Sequence, residues 1–127
     1  MRFFLCAMGE TRIGIPADRT GRIIPAFRKQ DHLFETEGNE SFISLPVLLK
    51  KKFLPAPHGV VLKNARGNRG ILLVPRIDTD VEVPEKSIYP LPGAIAGALS
   101  CFSGIFFAGN DMILILDTEK LVEFCRD

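Results

Sequence analysis

The sequence predicts an all-β protein that ends in one short helix. Short apolar runs broken by Gly, Pro, Asn and Asp recur along most of the 127 residues, a spacing typical of strands joined by tight turns. Long helical periodicity is absent until the C-terminal end, so alternating strands and helices around a parallel sheet are not expected. Both observations favour a small barrel or sandwich.

The first three predicted elements are strands. Phe3–Met8 and Thr11–Ile15 flank Gly9-Glu10, and glycine adopts positive φ at no steric cost. These two segments are therefore expected to pair as a hairpin. A third strand includes Arg22–Ile24, directly before a proline.

The middle of the chain predicts one further strand and a second hairpin. Phe42–Leu49 is expected at a sheet edge or bulge, because Pro46 has no backbone N–H to donate. Gly59–Lys63 and Gly70–Ile77 are separated by residues 64–69, which are rich in the Asn and Gly that tight turns favour. The second hairpin is expected there.

A third hairpin is predicted near the C-terminal end. Ser103–Ala108 and Met112–Leu116 bracket a Gly-Asn-Asp turn sequence, and the near-continuous apolar run of the second segment predicts a strand buried on both faces. Alternation along a strand sends Phe102 and Phe106 to one face and Phe107 to the other. Core packing is expected for most of these side chains, with one exposed phenylalanine as a candidate interface anchor.

A short terminal helix is predicted from Thr118 to Arg126. Apolar residues fall at helical spacing there: Leu121, Val122, Phe124 and Cys125. Asp117 or Thr118 can cap its first turn through a side-chain oxygen.

Composition bounds the class of protein. With 46% hydrophobic and 24% charged residues, the chain has enough apolar surface to fold, and its length fits a single domain over residues 1–127. The 16 Lys and Arg nearly balance the 15 Asp and Glu, so the overall charge does not favour nucleic acid. The opening apolar stretch is too short for a secretion signal and no stretch suits a membrane helix, so a cytoplasmic protein without direct membrane insertion is expected.

Neither a metal site nor a thiol catalyst has a supporting motif. Cys6, Cys101 and Cys125 are widely spaced in apolar contexts, which predicts buried thiols in a reducing compartment. His32 and His58 add no CxxC or HxxxH spacing, so no metal, cofactor or catalytic residue is assigned.

An acidic group follows the second hairpin: Asp78, Asp80, Glu82 and Glu85. The first three share one face of an extended strand, but calcium-loop spacing is absent, so a solvated face is favoured. A small all-β metal-binding protein or thiol enzyme that uses Cys101, His58 or these acids stays as the alternative.

The C-terminal half resembles the second half of the CheW-like domain. The matching segments occur in the family's order: Gly70–Val74, Val83-Pro84-Glu85, Pro90-Leu91-Pro92, Gly104-Ile105 and Leu116–Leu121. The resemblance implies two small SH3-like β-barrels packed together, with a short C-terminal helix. It also implies a non-catalytic adaptor that couples chemoreceptors to a CheA-type histidine kinase in bacterial chemotaxis.

Several partner-binding positions of that family differ in this chain. The strand that offers a hydrophobic residue and an acid to the kinase corresponds to Thr20 and Arg22, and the receptor-facing arginine corresponds to Asn39. Val47 replaces a usual aspartate. These changes either abolish the usual contacts or retune them, because specificity depends on both attractive and repulsive terms. A degenerate domain with a private partner therefore stays open.

Overall fold

A computed structural model describes residues 1–24, 42–49, 55–91 and 101–126. Within them the strands are β1 (Arg2–Met8), β2 (Thr11–Pro16), β3 (Thr20–Ile24), β4 (Phe42–Ser44), β5 (His58–Lys63), β6 (Arg69–Val74), β7 (Ile77–Glu82), β8 (Tyr89–Pro90), β9 (Phe102–Ala108) and β10 (Asp111–Leu116). The helices are α1 (Leu45–Leu48) and α2 (Thr118–Arg126). Short 3-10 turns occupy Ala17–Arg19 and Glu85–Ser87.

Six strands form the first sheet, in the order β7-β1-β2-β10-β9-β8. The predicted hairpins β1–β2 and β9–β10 are confirmed, and Gly9 and Gly109 both take φ of 64° in the turns that join them. The hairpins meet through a parallel pairing of β2 with β10, in which Arg12 lies opposite Ile113. Both turns therefore lie at the same end of the sheet.

Four strands form the second sheet, in the order β3-β5-β6-β4. The predicted hairpin in the middle of the chain is confirmed as β5–β6, and Gly67 takes φ of 83° in its turn. The third predicted strand is confirmed as β3, which pairs antiparallel with β5. The all-β class with a C-terminal helix is thus confirmed.

The largest core cluster draws buried side chains from both sheets and from the two helices. Its members include Ile13 and Ile15 of β2, Val60 and Leu62 of β5, Leu45 of α1, and Leu121 and Val122 of α2. A second cluster lies on the other side of the first sheet, where the rings of Phe3 and Phe106 stack with centroids 5.1 Å apart. Phe102 and Phe106 are buried and Phe107 is exposed, but the predicted shared face of Phe102 and Phe106 is wrong. Phe102 belongs to the first cluster and Phe106 to the second, because the pairing of β9 with β10 shifts register between Ile115 and Leu116.

The predicted terminal helix is confirmed as α2, with a defined cap. The Lys120 N–H donates to Oδ1 of Asp117 at 3.2 Å, and the Leu121 N–H donates to the Asp117 carbonyl at 3.1 Å. Asp117 therefore satisfies donors that a helix start otherwise leaves unpaired. No helix in the described part of the chain is long and apolar enough to cross a membrane.

Two local predictions are wrong. The strand predicted over Phe42–Leu49 ends at Ser44 and continues as α1, because Pro46 lies in a first helical turn, where its missing N–H costs nothing. The strand predicted over Gly70–Ile77 ends at Val74, and Ile77 begins β7 in the other sheet. The predicted burial of β10 on both faces is confirmed for Ile113 to Leu116, which contribute to both core clusters, whereas Met112 near its start is 52% exposed.

Candidate partner-binding surfaces

Two of the three predicted site residues lie on β3. This strand is at an edge of the second sheet within the described residues, and its pairing with β5 is irregular between Thr20 and Ile23. Thr20 is partly buried, and its hydroxyl donates to the Pro16 carbonyl at 2.9 Å. Its polar group is therefore occupied within the fold.

Arg22 and Ile23 extend this region toward solvent. Arg22 is exposed, and 38% of Ile23 is exposed. A charged and an apolar side chain are thus both exposed on an edge strand, where unpaired backbone groups favour contact with other chains. Thr20, Arg22 and Ile23 are called the β3 surface below.

The described structure does not include the side chains of the other two family-related positions. Asn39 lies outside the described residues. Val47 lies in α1, although its side chain is outside the described part of the structure. The structure therefore does not test the predicted receptor contact at Asn39.

Part of a second exposed region was not predicted from the sequence. Besides Phe107, the large side chains of Tyr89 and Met112 are about half exposed on β8 and β10. Alternation offered a signal for Met112, because a strand that buries Ile113 and Ile115 turns Met112 to the opposite face. The continuous apolar run of β10 concealed that signal.

The two thiols in the described part of the structure are not arranged for nucleophilic chemistry. Cys6 and Cys101 are buried and unpaired by disulfides, as predicted, while the Cys125 side chain lies outside the described part. Desolvation raises the pKa of Cys6 to about 11 and also raises the pKa of Cys101. Because the thiolate is the reactive form, neither group is activated at neutral pH.

The histidines and acids form no metal centre in the described ranges. His32 lies outside them, His58 begins β5, and no group of three or more His, Cys, Asp or Glu within them is placed to hold an ion. Asp78 and Asp80 are exposed on β7, beside Arg76 and Arg2 respectively. These exposed pairs fit the solvated face that the sequence favoured.

The order of strands in two sheets, with a terminal helix against β5 and β6, defines a CheW-like fold. The crystal structure of the scaffolding protein TtCheW from Thermoanaerobacter tengcongensis matches the chain with a TM-score of 0.73. The match covers 91% of this chain and 82% of TtCheW, at 15% sequence identity. No protein-family model and no curated protein sequence matches the chain. At 15% sequence identity, the structural similarity to TtCheW establishes the fold of this chain.

Proposed function

We propose that this chain is a non-catalytic adaptor that couples chemoreceptors to a CheA-type histidine kinase in the cytoplasm. The observation that carries the proposal is the fold it shares with a scaffolding protein over most of both chains. Buried thiols with raised pKa values support an assembly role over thiol chemistry. In this proposal residues 1–127 act as one domain, consistent with a core cluster drawn from both sheets.

The β3 surface is the proposed kinase contact. Arg22 brings a positive charge where the family offers an acid, so the proposed kinase presents a carboxylate to it. Ile23 supplies the neighbouring apolar contact, and Thr20 holds the start of β3 through its bond to Pro16. Asn39 is the proposed receptor contact.

Titration calorimetry with the regulatory domain of the kinase from the same source tests this proposal. We expect saturable binding that a known CheW protein competes away. Arg22→Glu is expected to weaken binding about tenfold, because it places like charges opposite each other. Lys86→Glu is the matched control, since it makes the same charge change at an exposed position beside the other sheet.

The possible outcomes distinguish the proposed kinase role from the proposed use of the β3 surface. Absence of binding by the folded wild-type protein would contradict the kinase role. Equal effects of Arg22→Glu and Lys86→Glu would remove the β3 surface from the contact while leaving the adaptor role in place.

A further inference from the structure

Three exposed apolar side chains on the first sheet lie next to one another. Phe107 of β9 lies directly opposite Met112 of β10, and the Tyr89 ring meets the Phe107 ring edge-on with centroids 6.5 Å apart. Tyr89, Phe107 and Met112 are 52%, 57% and 52% exposed. They are called the apolar patch below, and a contiguous exposed group of this kind is typical of an interaction site, whereas single exposed apolar residues are ordinary.

The apolar patch continues a face that is buried nearby. Alternate residues of a strand share a face, so Ile105 lies beside Phe107 and Leu114 beside Met112. Both are partly buried, and Leu114 packs against the core cluster between the sheets. The backbone beneath the patch is therefore held by the core, which provides a rigid base for a ligand.

The edge of β9 beside the patch is open in the described structure. β8 pairs with β9 at two positions only, Tyr89 opposite Ile105 and Pro90 opposite Gly104. The chain before β8 forms a 3-10 turn, in which the Ile88 N–H donates to the Glu85 carbonyl at 3.1 Å, and Ile88 packs against the second core cluster. No described strand thus pairs with residues 106–108 on that side, and an unpaired edge is a template for another strand.

The exposed area of the apolar patch indicates what kind of partner it can bind. Half of an aromatic side chain corresponds to roughly 100 Å², so the patch offers about 300 Å². A stable interface needs about 800 Å² from each partner, so this surface is too small to hold a second copy by apolar burial. A short extended segment gains backbone hydrogen bonds in addition to side-chain contacts.

The charges at this end of the sheet favour a basic segment. Glu10 and Asp111 are exposed in or beside the two turns, while Arg12 contacts Asp111 at 3.4 Å. The two turns and the residues that follow them, 9–12 and 109–112, thus carry two carboxylates and one guanidinium. A Lys or Arg next to the apolar residues of a ligand complements that excess negative charge.

We propose that the open edge of β9 binds an extended segment of a partner protein by strand addition. Apolar side chains of that segment contact Phe107 and Tyr89, and a basic side chain approaches Asp111. This site lies on the first sheet, whereas the β3 surface lies on the second. The protein can therefore hold this partner and the proposed kinase at separate surfaces.

The probe is a short fluorescein-labelled peptide in which valine and threonine alternate between two terminal lysines. Fluorescence anisotropy with the full chain is expected to show saturable binding, and Phe107→Ser is expected to weaken it at least about tenfold. Ile23→Ser is the matched control, because it removes an exposed apolar side chain from the other sheet. A peptide with proline in place of the central valine cannot complete the ladder and is expected not to bind.

Hydrogen exchange provides the second measurement, with protection expected, when the valine peptide is present, for those amides of residues 106–108 that point away from β10. Equal binding of the proline peptide, equal losses in both serine variants, or unchanged exchange would overturn strand addition. Patch-dependent dimerisation in sedimentation would also overturn it. Phe107→Ser is expected to leave kinase binding unchanged. The peptide test can therefore contradict strand addition without contradicting the proposed kinase role, and the kinase titration can do the reverse.

Discussion

At the scale of single residues, Cys6 illustrates how burial determines thiol chemistry. Its side chain has no exposed surface on β1, and desolvation is the main cause that raises its pKa to about 11. A backbone hydrogen bond involving Arg76 lowers the pKa by a smaller amount, while Asp78 raises it further. The sequence predicted a buried thiol here from its apolar neighbours, and that prediction is confirmed.

The raised pKa of Cys6 predicts a loss of stability at high pH. The unfolded thiol has a pKa of 9.0 and the folded thiol a pKa of about 11. The unfolded state therefore loses its proton first, and the stabilising term, complete below pH 9, decreases as the pH rises toward 11. Over that interval the loss is about 3 kcal/mol.

Urea unfolding of the wild type and of Cys6→Ala between pH 8 and 11 measures this term. Cys6→Ala is expected to be less stable at pH 8, because it loses packing, but to lose less further stability as the pH rises. Other titrating groups are common to both proteins, so identical pH slopes would show that Cys6 does not carry the effect.

At the scale of elements, a buried asparagine organises the β5–β6 turn. Asn64 is 4% exposed, and its Oδ1 accepts hydrogen bonds from the Arg66 N–H at 3.0 Å and the Asn68 N–H at 2.9 Å. The Asn64 N–H donates to the Asn68 carbonyl at 3.0 Å. One side chain therefore satisfies two backbone donors that the turn leaves without strand partners.

Asn64→Ala is expected to destabilise the protein by about 1 to 3 kcal/mol, because it leaves backbone donors without their acceptor. Asn64→Asp keeps an oxygen in place and is expected to lose less. The free energy of unfolding in urea measures both. Asn110→Ala, at an exposed turn position, is expected to change stability by only about 0.5 kcal/mol. Equal losses for Asn64→Ala and Asn64→Asp would contradict this role.

The hairpins were predicted correctly from local sequence, whereas the extent of the fourth strand was not. Each confirmed hairpin carries its own glycine turn, and the three glycines at positions 9, 67 and 109 all have positive φ. Pro46 was misinterpreted because a missing N–H is compatible with both a sheet edge and a first helical turn. The Leu49 N–H donates to the Leu45 carbonyl at 3.1 Å, so a local hydrogen bond favours the helical turn.

At the scale of the whole molecule, one carboxylate joins parts of both sheets. Glu119 follows the first sheet in α2, and its Oε1 accepts a hydrogen bond from the Ala65 N–H at 2.8 Å, in the turn of the second sheet. The same oxygen lies 3.9 Å from Nε of Arg19, in the connection from β2 to β3. Glu119 thus adds a surface contact between the two sheets to the core cluster that they share.

Glu119→Ala is expected to cost about 1 kcal/mol and to increase hydrogen exchange at Ala65, since the amide loses its acceptor. Glu119→Gln keeps an oxygen acceptor and is expected to be nearly neutral, because exposed ion pairs such as the one with Arg19 contribute little. Unfolding in urea and amide exchange measure both variants. A full loss in Glu119→Gln would show instead that the ion pair dominates.

The sequence by itself determined the all-β class, the three hairpins, the terminal helix and the burial of Cys6 and Cys101. These follow from turn residues and apolar periodicity, which act over a few neighbouring residues. Only the tertiary structure decided that β2 pairs with β10 and that β7 leaves its predecessor's sheet. The apolar patch likewise depends on the short pairing of β8 with β9. Such pairings join residues distant along the chain, and their choice depends on how both sheets bury apolar surface together.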